Sequence, residues 1–148
     1  MKIKTITAVS IFVLCLIFTG FKQGHSSIGL GIIVGEPTGF SIKIGKPIAL
    51  GVAWSFNNHF HIHADYWIIN SVLASPVDWF LGVGGKFTIK SSPKESSLNV
   101  GFRIPVGMQW FFAPQFELFA EIAPGFMFIP ETAFDIGGGI GIRFYIGK

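Results

Sequence analysis

His59-x-His61-x-His63-x-Asp65 puts three imidazoles and a carboxylate at every second position of one segment. On an extended chain such residues share a face, spaced about 6.5–7 Å apart. A metal could bridge neighbouring imidazoles or take a carboxylate from an adjacent strand. The same residues serve equally as polar filling that responds to pH. Ser41, Ser55, His61 and Asp65 supply the residue types of nucleophilic acyl chemistry, but nothing in their spacing singles them out and no Gly-x-Ser-x-Gly elbow is present. The glycines from Gly137 to Gly141 precede no helix that could cradle a phosphate. No catalytic set, resident metal or cofactor is therefore expected.

A wider set of charges shows what positions these groups. Reading the segments after residue 27 as alternating, Lys43, Asp65, Lys86, Arg103, Glu117, Glu121, Asp135 and Arg143 fall on one face, padded with Gly, Ala and Ser. The opposite face is Ile, Leu, Val, Phe, Trp and Met without a charge. A soluble sheet turns its large apolar residues inward, so this pattern describes the reverse: a narrow polar interior and an outer surface suited to hydrocarbon. The alternation predicts strands over 28–35, 39–45, 48–56, 59–68, 78–89, 98–110, 115–123 and 133–146, with loops at 69–77, 90–97 and 124–132. The expected fold is all-β, an eight-stranded antiparallel up-and-down transmembrane barrel. Ile33, Trp67, Phe80 and Phe119 break the rule by parity and are expected to fill the interior or sit at its rims. Pro105 cannot donate to a ladder, which predicts a bulge there. Aromatic residues gather near strand ends: Tyr66, Trp67, Trp79, Trp110, Phe111, Phe116 and Phe144 at one rim, and Trp54, Phe56, Phe60, Phe87 and Phe134 at the other. Two such girdles suit the two interfaces of a bilayer.

The eight interior charges balance, four basic against four acidic. Buried charge is costly unless paired, so a network of ion pairs is expected to plug the lumen. An eight-stranded barrel is filled by its own side chains, which argues against a wide pore; charge-lined gating of a narrow one is the functional rival.

Composition agrees with this picture. Of 148 residues, 50% are hydrophobic and only 13% charged, against roughly a quarter charged in soluble domains. Met1 to Lys4 is basic and Thr5 to Phe18 apolar, about 14 residues, too short to favour a spanning helix. Residues 1–26 thus read as a secretory signal peptide cut after Ser26, with 27–148 as the barrel domain; an uncleaved anchor is the other reading. Cys15, the single cysteine, lies in the leader, leaving the mature chain without thiol chemistry. Without Lys2, Lys4 and Lys22, eight basic residues face eight acidic ones. Charge therefore offers nothing to nucleic acid.

The stretches GLGIIVGEPTGFSIKI (29–44), GVGGKF (82–87) and FAEIAPGFMFIPETAFDIGGGIGIRFYI (119–146) carry a resemblance. The mature chain resembles the small OmpA/OmpX-type outer-membrane barrels, and more narrowly a spirochaetal-type family of small barrels of unknown activity. The resemblance implies a non-enzymatic protein of a bacterial outer membrane with lipid as its surroundings. It also implies host or extracellular protein partners, engaged through exposed loops where Lys94, Glu95 and Glu131 are the expected contacts. A membrane-embedded lipid-modifying enzyme and a narrow pore are the alternatives.

Overall fold

The computed structural model describes residues 27–36, 38–55 and 59–147. The expected leader, the last residue of the expected 48–56 strand and the connection at 57–58 lie outside them. Nine strand segments follow one another: β1 (Ile28–Glu36), β2 (Gly39–Ile44), β3 (Ile48–Ser55), β4 (His59–Ala74), β5 (Val77–Ser91), β6 (Ser96–Arg103), β7 (Val106–Ala113), β8 (Phe116–Ile129) and β9 (Ala133–Ile146). Each pairs antiparallel with its neighbours, and β1 pairs with β9 from Ile28↔Ile146 to Glu36↔Gly138, closing the ring. β6 and β7 are halves of one strand, because β5 and β8 each pair with both. The molecule is an eight-stranded up-and-down barrel. No helix among the described residues is long and apolar enough to cross a membrane.

No bulge forms at Pro105. Register runs unbroken across it, with Arg103 opposite Gly125 and Val106 opposite Ile122. The ladder loses one N–H but keeps the carbonyl, which accepts from Gly82, while Ile104 donates to Pro124. The irregularities lie elsewhere: between Trp67 and Ile69 and between Val72 and Ala74 on β4, between Val100 and Gly101 on β6, and between Phe111 and Ala113 on β7; those on β4 bear on the strand limits. They explain a second difference. The expected 69–77 loop is a continuation of β4 and β5 around Ser75 and Pro76, because a bulge shifts the in–out parity from which a strand is recognised. Likewise Pro124 to Ile129, expected as loop, belongs to β8, with Pro124 opposite Ile136. The connections at 92–95 and 130–132 are correspondingly short.

Strand alternation decides what faces out. Large apolar side chains from every strand are exposed, among them Leu30, Phe40, Trp54, Ile62, Val83, Met108, Leu118 and Ile140. The buried set is dominated by polar groups: Lys43, Asp65, Lys86, Arg103, Glu117, Glu121 and Arg143. Aromatic rings cluster on the outer surface near both ends. Phe116 lies 5.8 Å from Phe112 and 5.2 Å from Phe144 near the chain termini, and Phe126 lies 5.7 Å from Phe102 and 5.4 Å from Phe134 toward the other end. Trp67 belongs to neither group, since it points inward and is buried. Phe111 also leaves the outer set, packing 5.4 Å from the inward-facing Tyr145.

Candidate functional site

The barrel interior is built in storeys. Nearest the termini, Arg143 on β9 donates through Nη1 to Glu117 Oε1 at 2.9 Å and through Nε to Ser41 Oγ at 2.9 Å. Tyr145 donates its hydroxyl to Glu117 Oε2. The Arg143 guanidinium lies 3.5 Å from the Phe119 ring centre, a cation–π contact that takes up its free face. Among the described residues Lys43 has no carboxylate within ion-pair distance. It donates to the carbonyls of Gly45 and Lys46, and its ammonium sits 3.8 Å from the Trp67 ring centre. Gly45 adopts φ 57°, which turns its carbonyl and that of Lys46 within reach of the same side chain.

Above this lies an aromatic floor. Trp67 and Phe80 stack with ring centres 3.7 Å apart and planes within 1°. They come from neighbouring strands, on either side of the β4 bulge.

Next come Asp65, Arg103 and Glu121. Arg103 Nη2 donates to Glu121 Oε1 at 2.5 Å, and its Nε lies 3.2 Å from Asp65 Oδ1, near enough for an ion pair but not aligned as a hydrogen bond. Higher on β4, His63 Nε2 is 3.8 Å from Asp65 Oδ2, and His63 Nδ1 meets His61 Nε2 at 3.1 Å. His61 Nδ1 reaches Thr88 Oγ1 at 3.3 Å. Since one ring must donate and the other accept, His61 and His63 satisfy each other as imidazoles. Space for them comes from the facing strand: Gly51 lies opposite His63, and a Cβ there would fall 2.2 Å from the ring. Among the described residues, no three His, Cys, Asp or Glu side chains converge as metal ligands. His59 is half-buried, one pair of residues above, and does not join the pair.

At the end away from the termini, the interior opens into a cup of about 560 Å³. Lys86 of β5 pairs with Asp135 of β9 across it. His59, His61, Thr88 and Lys90 line one side and Glu36 and Glu131 the other. Lys94 and Glu95 are exposed in the 92–95 connection, and Glu131 in 130–132.

Of the eight charges grouped from sequence, seven therefore meet an opposite partner inside, and Lys43 does not. Tyr145, central to the lower storey, was not among those residues, although its alternation with Arg143 marks it. The proposed Ser/His/acid set is not assembled as one, since Ser41 bonds Arg143 while His61 bonds His63. The cup itself left no motif, because it is formed by residues of six different strands.

An apolar exterior around a charged, internally paired axis defines a small membrane barrel. The chain belongs to the family described as "Protein of unknown function (DUF3996)", whose model matches residues 21–148. No curated protein matches it. Among solved structures it is similar to the N-terminal β-barrel domain of Pseudomonas aeruginosa OprF, at 14% identity and TM-score 0.57, over 84% of this chain and 100% of that one. It is also similar to Neisserial surface protein A, at 15% identity and TM-score 0.46, over 80% and 93% of the two chains. The OprF likeness shows the fold, a small closed β-barrel.

Proposed function

We propose that the protein is an integral protein of a bacterial outer membrane, closed to diffusion by its own side chains, with a structural or surface-interaction role. The observation that carries this is the stacked Trp67–Phe80 floor set between two ionic storeys, which puts side chains across the middle of the axis. With the termini on the periplasmic side, the cup and the short connections bearing Lys94, Glu95 and Glu131 face outward. These are the contacts offered to host or extracellular proteins. The closed axis disfavours a pore, and a lipid-modifying enzyme would need a nucleophile at the lipid-facing wall, where the outward side chains are apolar.

Reconstitution in planar bilayers tests the closed axis. Wild-type protein is expected to give no conductance steps. Replacing Trp67 and Phe80 together by alanine removes the floor and is expected to produce brief openings. Regular steps from the wild type would show a pore. Swapping the 92–95 and 130–132 connections for Gly/Ser segments is expected to abolish binding of partner proteins to intact cells; undiminished binding would remove the surface role from these loops.

A further inference from the structure

The two walls of the cup carry opposite charges that the protein leaves unused. Counting around the ring, β5 stands opposite β1. Lys90 comes from β5, whereas Glu36 comes from β1 and Glu131 from the connection before β9. Deeper charges are consumed internally, Lys86 by Asp135 and Arg103 by Asp65 and Glu121. Among the described residues, Lys90, Glu36 and Glu131 have no ion-pair partner.

We infer that this cup is a binding site for a small zwitterion, a molecule with an anionic group and an ammonium group in one short frame. The anionic end meets Lys90, with Thr88 and Asn99 below as hydrogen-bond partners, and the ammonium end meets Glu36 and Glu131. A simple anion entering the cup leaves two carboxylates facing it, and a simple cation meets the ammonium of Lys90. Only a dipole satisfies both walls, and a concave site strengthens the field across it. The volume of about 560 Å³ is that of a small-molecule site and too small for a folded partner. The aromatic floor closes the far end, so the ligand enters and leaves by the same mouth.

Both carboxylate–ammonium and phosphate–ammonium zwitterions have this chemistry, and titration calorimetry separates them. Folded protein in a neutral maltoside detergent is titrated with triglycine and with phosphocholine, and in parallel with acetate, inorganic phosphate and tetramethylammonium. At least one zwitterion is expected to bind saturably, about ten-fold or more tighter than any of the singly charged ions. Lys90→Gln, Glu36→Gln and Glu131→Gln are each expected to weaken it by about ten-fold. The exchange Lys90→Glu with Glu36→Lys and Glu131→Lys reverses the dipole and is expected to recover most of the affinity. Unheated gel mobility identifies the variants that remain folded, and the three single variants provide independent readings. No saturable binding of either zwitterion, equal binding of a singly charged ion, or affinity unmoved in the folded variants would overturn the assignment. Because the protein is in detergent, such a failure leaves the membrane reading intact.

Discussion

Replacing Glu117 by leucine is expected to destabilise the barrel by about 3–5 kcal/mol, the cost of leaving a buried charge without its partner. Glu117 is 0% exposed and Arg143 2%. The substitution strips Arg143 of its 2.9 Å ion pair and Tyr145 of the carboxylate that accepts its proton. Neither group reaches water without unpacking the lower storey. Removing both charges, as Glu117→Leu with Arg143→Met, is expected to recover most of that loss, since an apolar pair of similar volume carries no desolvation cost. Urea titration in phospholipid vesicles, followed by the fraction that keeps unheated gel mobility, measures both variants. A loss below about 1 kcal/mol would be that of an exposed ion pair and would mean that the lumen is wet.

The second large effect is expected on the opposite face. Ile140 is 62% exposed, in the middle of β9, between Val34 of β1 and Ala120 of β8. In a water-soluble protein, arginine at so open a position would change stability by roughly half a kcal/mol or less. At the midplane of a bilayer it costs about 2–4 kcal/mol, falling to about 0–1 near the interface. Ile140→Arg is therefore expected to unfold at much lower urea in vesicles, while Ile146→Arg, at the end of the same strand and face, is expected to be nearly silent. Equal, small effects at both positions would remove the depth dependence that only hydrocarbon produces.

These two expectations rest on parts of the molecule that were legible in different degrees. The ring and the sidedness were plain in the sequence, because a period of two needs only local chemistry. Lys43, Glu117 and Arg143 alternate strictly with Ile42, Leu118 and Ile142, and Ile33, Trp67, Phe80 and Phe119 share the charged parity and do lie inside. The extent of strands was legible only where alternation is unbroken. One extra residue between Trp67 and Ile69 reverses the parity, and a second irregularity between Val72 and Ala74 shifts it again, so a continuous strand reads as a loop. Pro124 misleads for another reason: it cannot donate to a ladder, yet its carbonyl still accepts. Which charge meets which was illegible, since pairing depends on cross-strand register and on side-chain reach over the axis. Glu117 and Arg143 are directly opposite on β8 and β9, whereas Lys86 and Asp135 meet across the lumen from strands that are not neighbours. Lys43 illustrates the limit, because backbone carbonyls and an indole face satisfy it, and neither has a mark in the sequence.

The central claim is that the greasy face meets lipid and the charged face meets the axis. Tryptophan fluorescence quenching in vesicles reads both faces at once. Trp54 and Trp110 point outward, and Trp67 points into the lumen. In variants retaining one of these with the other tryptophans changed to phenylalanine, brominated acyl chains are expected to quench Trp54 and Trp110 strongly and Trp67 weakly. If instead aqueous iodide quenches Trp54 and Trp110 while bromine leaves them bright, the outer surface is in water and the account is wrong.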